Sequence, residues 1–293
     1  MKFLRTRLAI NMFLEFATWG AWLPILGIHL TQVGLTPQQI GLVTGTGALA
    51  GMIAPLIAGQ IADRWMATEI FLAISHLVSA VFFYLAADAP DFWHIYGYPF
   101  GAMFFYNPTM GLSNSLTMRH LQDPKATFPF IRSFGTIGWI AAGLGMTLWF
   151  HLNPARPMGD CLRAGALYSL VHGVLCFFLP STPPIRATKQ KFAIGEAFAM
   201  MKEPSYAIFI ALSFFLMFVM NFYYGYAGKF FQEALKIPKA DVSSYMAIGQ
   251  FVEIFTLMAL PYIYKNLGTK KTVIVGIAFL ALRFGVYVLG QPL

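Results

Sequence analysis

The sequence predicts an all-α integral membrane protein, and three observations carry that prediction. Of its 293 residues, 58% are hydrophobic and only 11% charged, with a mean hydropathy of +0.63, far from the usage of a soluble domain. The apolar residues gather in blocks of about 20, the length at which a helix crosses a bilayer. Lysine and arginine collect in every second connection between those blocks, as they do when cytoplasmic loops retain them.

Nine blocks follow in order, at roughly 8–31, 39–62, 69–87, 92–117, 129–150, 161–180, 205–230, 241–264 and 271–290. The first keeps flanking Lys2, Arg5 and Arg7, and no small-residue cleavage site follows it, so it is read as a retained signal-anchor helix. With the N-terminus cytoplasmic, the inner segments hold thirteen of the 20 basic residues: Lys2, Arg5, Arg7, Arg64, Arg119, Lys125, Arg186, Lys189, Lys191, Lys202, Lys265, Lys270 and Lys271. The outer segments hold five, Arg156, Arg163, Lys229, Lys236 and Lys239, while Arg132 and Arg283 fall inside helices. Topology and contact with anionic lipid thereby account for the net charge of +8, and nucleic-acid binding is set aside.

The longest inner connection, Ser181 to Pro204, opens with prolines, gathers positive charge and becomes amphipathic over Phe192, Ile194, Ala197, Phe198 and Met201, the pattern of an interfacial helix. It divides the chain into a six-helix bundle over 1–180, a cytoplasmic linker over 181–204 and a three-helix partial bundle over 205–293. Six helices, a basic inner linker and a second run of helices is the plan of transporters built from two related halves. On that plan three helices are missing, so the chain is read as truncated after about nine. A genuine nine-helix protein is the alternative.

The polar residues inside these apolar blocks are the candidates for chemistry, because an ionised carboxylate at mid-bilayer costs about 2.5 kcal/mol or more without a partner, a proton or a purpose. On the eighth span Gln250 and Glu253, three apart, share one face and together suit a pair of vicinal hydroxyls; a protonated or ion-paired structural Glu253 is the other reading. The fifth span sets Arg132, Thr136 and Trp139 in one stripe. Arg132 either contacts a ligand or snorkels to the inner interface, and Trp139 either stacks on a heterocyclic base or packs in the core. Gly135, Gly138, Gly143 and Gly145 speak for close helix packing. The first span carries Asn11, Glu15, Thr18 or Trp19, and Trp22 on one face. Glu15 carries or relays a proton, or is neutralised by a base on another helix. In the fourth span Asn107, Thr109 and Asn114 around Pro108 read as side chains satisfying the carbonyls that a proline kink frees. On the seventh, Asn221 and Tyr224 share a face within a patch that reads as either interfacial belt or site. His76 and Arg283 rank lower, as counter-ions or helix-to-helix bonds.

Two cysteines, Cys161 and Cys176, give no disulfide framework, and histidines 29, 76, 94, 120, 151 and 172 form no coordination set in sequence, so no metal is expected. No nucleophile and base pair has enzyme spacing, and no glycine-rich phosphate loop is present. An enzyme or a non-transporting receptor is thus the weaker class.

The turn GQIADRW, with Gly59, Asp63 and Arg64, is similar to the short signature of the major facilitator superfamily. Together with NMFLEFATWGAWLPILG, NPTMGLSNSL, FPFIRSFGTIGWI and IGQFVEIF, the chain from about residue 8 to 291 resembles the bacterial nucleoside:proton symporters, the nucleoside permease family. That resemblance implies the facilitator fold, a monomer in the cytoplasmic (inner) membrane, a nucleoside as substrate, a proton as coupling ion and no cofactor. It further implies that Arg132, Thr136, Trp139, Gln250 and Glu253 contact the nucleoside, with Gln250 and Glu253 on the ribose. Asn221 and Tyr224 stand where the family has a glutamine and an asparagine, which leaves purine or pyrimidine preference open. Glu15 replaces an expected amide, and the family's further carboxylate falls beyond Leu293. Asp63 is expected to face a helix N-terminus that also lies beyond it. Glu253 and Glu15 are the proton-coupling candidates, and a porter for another hydroxylated solute, such as a sugar, is the competing reading.

Overall fold

The computed structural model describes residues 2–184 and 199–289, the side chains of Lys2 and Asn221 apart. Of the amphipathic stretch expected from Phe192 to Met201, residues 192–198 lie outside them. The described residues form helices and no strand: α1 (Lys2–Gln32), α2 (Pro37–Arg64), α3 (Thr68–Ala86), α4 (Phe92–Arg119), α5 (Pro124–Leu152), α6 (Asp160–Cys176), α7 (Pro204–Glu233) and α8 (Val242–Leu289).

Local chemistry sets these boundaries. Thr36 and Gln39 close a capping box ahead of Pro37, each side chain bonding the other's main-chain N–H. Asp91 caps α4 through the N–H groups of Trp93 and His94, and Asp123 caps α5 ahead of Pro124. Among the described residues, six helices are long and apolar enough to cross a membrane by length and composition. The last of them has 48 residues, about 72 Å of helix against a hydrocarbon layer of ~30 Å. Gly268 breaks it, with φ 70° and ψ 170°, into arms over 242–267 and 269–289. The sequence's eighth and ninth spans are these arms.

The connections sort into two ends. At the proximal end, which carries the N-terminus, Arg7 donates to the carbonyl of Phe178, Glu69 accepts from the N–H of Thr182, and His120 bonds the Thr182 hydroxyl. At the distal end Asp160 accepts from Arg156, Arg163 and Trp149, and Arg163 reaches on to Asp88.

α1 is the central helix, packed against α4, α5, α6 and α7. Glycines let its backbone meet α5: a Cβ on Gly138 would fall on the carbonyl of Phe13, one on Gly20 would lie 2.5 Å from the carbonyl of Trp139, and one on Gly135 would lie 2.6 Å from the Phe16 ring. A Cβ on Gly143 would meet Ser243 of α8 only at ordinary contact distance, and one on Gly145 would have nothing within 4 Å, so close packing accounts for two of the four glycines expected to serve it. Phe214, Phe215, Phe218, Phe255 and Phe279 are exposed, the apolar exterior of a helix bundle that faces lipid.

Candidate functional site

Where α1, α5, α7 and the first arm of α8 meet, the sequence's polar candidates come together. Arg132, in the third turn of α5, is half-buried, with its guanidinium carbon 3.8 Å above the Phe16 ring. The charges of Glu253 and Glu15 both act on it. Gln250 and Glu253, a turn apart and half-buried, sit on the first arm of α8. Tyr224 comes beside Gln250 from α7, and its ring centroid lies 5.9 Å from that of Trp19 on α1. Three buried polar atoms here have no hydrogen-bond partner: Arg132 Nη1, Thr136 Oγ1 and Trp19 Nε1. Buried donors left without partners in a helix bundle lose about 1–3 kcal/mol each, which a polar ligand can restore.

Several residues land elsewhere. Trp139 is 4% exposed, its ring wedged against Gly20 in the α1–α5 crossing; of its two readings, core packing describes it, because the glycine opposite leaves a slot that the indole fills. Trp19, half-buried with a free indole N–H, is the aromatic that borders the cluster. Asn221 belongs to α7, but its side chain lies outside those described. Gly59, Asp63 and Arg64 close α2 at the proximal end, with Asp63 exposed. Arg283 stacks 4.0 Å over Tyr223, a helix-to-helix contact as ranked. The kink reading of α4 is corrected: Asn107 donates to the carbonyl of Gly47 on α2, and the Thr109 hydroxyl lies within hydrogen-bond distance of both the Glu15 carboxylate and the carbonyl of Tyr106. These side chains join helices as well as tending their own.

A second cluster brings two of the histidines to a buried acid. Glu15, His76 and His172, all 0% exposed, place side-chain nitrogen and oxygen atoms within 4.8 Å of one another. Spacing across three helices hid this from the sequence. Glu15 accepts from Thr109 at 2.7 Å and from Ser113 at 2.8 Å, and His76 Nε2 lies 3.3 Å from its Oε2.

Long helices running between two ends around a buried polar cluster have the arrangement of a membrane transporter, and the likeness to solved transporters shows the major facilitator superfamily fold. The chain belongs to the family described as Nucleoside H+ symporter, whose profile matches residues 1–292. It is similar to the putative nucleoside transporter YegT of Escherichia coli K12, 31% identical over 97% of this chain and 68% of YegT. It is also similar to the xanthosine permease of that strain, 30% identical over 98% of this chain and 71% of the permease. A crystal structure of the nucleoside transporter NupG superposes with a TM-score of 0.84 at 27% identity, covering 99% of this chain and 75% of that one. The family and these relatives are transporters.

Proposed function

We propose that the protein takes up nucleosides across the bacterial cytoplasmic membrane together with protons, by alternating access. It acts as a monomer with its N-terminus in the cytoplasm, without enzymatic chemistry and with the proton as its only coupling partner. The observation that supports this reading is the convergence of Arg132, Thr136, Tyr224, Gln250 and Glu253 with Trp19, which joins hydroxyl-binding groups, unpartnered donors and an aromatic face at one junction of helices. A nucleoside needs that combination: a carboxylate and an amide for the ribose hydroxyls, donors for the base edge and a ring for its π-face. Asn221, three residues before Tyr224 on α7, is taken as a further member of this site, and Trp139 backs it. Two runs, 1–180 and 205–293, rock about the bound substrate, with the Gly59, Asp63 and Arg64 turn guarding the cytoplasmic end.

The coupling follows from charge. A neutral nucleoside gains nothing from the membrane potential unless a charge moves with it, and one proton through 100 mV is worth about 2.3 kcal/mol, roughly a fifty-fold accumulation. Glu253 and Glu15 are the acids available within the spans. Uptake of radiolabelled uridine and adenosine into vesicles containing the protein tests the reading. An inward pH gradient should drive accumulation above the external concentration, with competition by unlabelled nucleosides and none by sucrose. Competition by sucrose alone overturns the substrate class, and equilibration without accumulation overturns the coupling.

A further inference from the structure

Glu15 lies in the core of the first six helices, one turn of α1 below Trp19, and the groups around it are organised for one more proton than a carboxylate and two neutral imidazoles hold. The Ser169 hydroxyl donates to the main-chain carbonyl of His76 at 3.0 Å, which spends its only hydrogen. Its oxygen, 3.2 Å from His76 Nδ1, is then an acceptor, so Nδ1 carries a hydrogen. His76 Nε2 faces Glu15 Oε2 at 3.3 Å, and that contact too is favourable only with a proton between the two atoms. On α6, His172 Nε2 bonds Asn11 Oδ1 at 2.9 Å. That bond leaves His172 Nδ1 as a bare lone pair, buried, without a partner and 3.9 Å from the same Glu15 oxygen. The imidazole centroids are 3.9 Å apart, too close for both rings to be cationic in a dry core.

We infer that Glu15, His76 and His172 form a one-proton binding site, separate from the nucleoside site, and that this is the site whose proton is coupled to transport; the inference rests on the proton-coupled reading above. With the proton bound, an imidazolium and a carboxylate neutralise each other, and Ser113 and Thr109 complete the carboxylate's shell. When the proton leaves, Ser169 must turn its hydrogen to His76 Nδ1 and release the carbonyl, while the cluster keeps one uncompensated negative charge. The charged and titratable groups facing Glu15 are His76 from α3, Tyr106 from α4, Arg132 from α5, and His172 and Cys176 from α6. Of these, Arg132 alone is a permanent cation, and it also feels Glu253 across the nucleoside site. A vacant proton site therefore draws Arg132 toward α1, and an occupied one leaves it to Glu253 and the ligand. The coupling is electrostatic, carried by one guanidinium that two acids share.

The test separates this site from transport itself. In vesicles, Glu15→Gln and His172→Asn should lose uridine accumulation driven by a pH gradient by at least ten-fold while uridine counterflow, which needs no net proton movement, stays measurable. Uridine affinity of the unaltered protein should fall about ten-fold per pH unit once the site empties, and both variants should flatten that dependence. Ser169→Ala, a small change that leaves the acid and both imidazoles in place, should move the pH midpoint and keep the slope; it serves where the other variants fail to assemble. Variants that accumulate uridine normally, with the pH dependence intact, overturn the proton site and leave the nucleoside reading standing. Absence of counterflow in the unaltered protein overturns that reading instead. Stoichiometric Zn²⁺ binding by the unaltered protein, abolished by His172→Asn, would show a metal site and also overturn the inference.

Discussion

Arg132 illustrates how a single side chain would join the proposed nucleoside and proton sites. Its guanidinium carbon lies 3.8 Å over the Phe16 ring with one nitrogen unpartnered, and Lys in its place keeps a charge but not the guanidinium's fork of donors. Arg132→Lys should raise the KM for uridine uptake about ten-fold or more, since a charged hydrogen bond contributes roughly 1.5–3 kcal/mol; an unchanged KM removes Arg132 from the binding site. Trp19 makes a different prediction. Loss of a base-stacking ring weakens binding by about 1–3 kcal/mol, so Trp19→Ala should raise the uridine Kd at least five-fold and Trp19→Phe much less, measured by ligand-induced thermal shift. Trp139→Ala, by contrast, should act mainly on stability, costing about 3–5 kcal/mol as a core deletion. The sequence made the shared faces of Arg132 with Thr136 and of Gln250 with Glu253 legible, because three- and four-residue spacing on a helix fixes a shared face. It did not distinguish Trp19 from Trp139: both are tryptophans in apolar helices, and which one is sealed depends on Gly20 lying opposite. Nor could spacing reveal that residues 15, 76 and 172 converge.

Among elements, the α1–α5 crossing and the broken α8 carry the sharpest constraints. Gly138 has no room for a methyl group above the Phe13 carbonyl, and backbone cannot yield as a side chain can. Gly138→Ala should therefore force the helices apart, costing about 1–3 kcal/mol in overpacking and lowering the melting midpoint in detergent by several degrees. Gly145→Ala, in open space, should leave it unchanged, and the pair is its own control. Gly268 holds a backbone conformation that essentially only glycine adopts, so Gly268→Ala strains the turn by about 1–3 kcal/mol. The sequence separated the arms of α8 by their hydrophobic blocks without showing that helix continues up to the glycine on either side, since helix propensity alone does not locate a break.

At the scale of the molecule, the contacts that α7 and α8 make with α1 and α5 concentrate toward the distal end. Gly27 meets the carbonyl of Gly225 and Gly228 that of Pro24; Ser244 donates to Thr147 at 2.8 Å, and His151 bonds Asp241 at 2.6 Å. Arg132 and Glu253 lie deeper, on the proximal side of these contacts along α5 and α8. A transporter that alternates between two openings must break one such set of contacts in each cycle, and here α7 and α8 are joined to α1 and α5 toward the distal end. The hydroxyls of Thr147 and Ser244 already touch, so cysteines there fall within cross-linking reach. The two native cysteines, Cys161 and Cys176, are free thiols buried away from that contact. In a protein carrying both Thr147→Cys and Ser244→Cys, oxidation should abolish uridine counterflow and accumulation together, and dithiothreitol should restore both. Each single variant, oxidised in the same way, should transport normally. Transport that survives a complete cross-link would mean that the distal contacts never open during the cycle, and the substrate would then have to reach Arg132 and Glu253 by a route that leaves α5 and α8 joined.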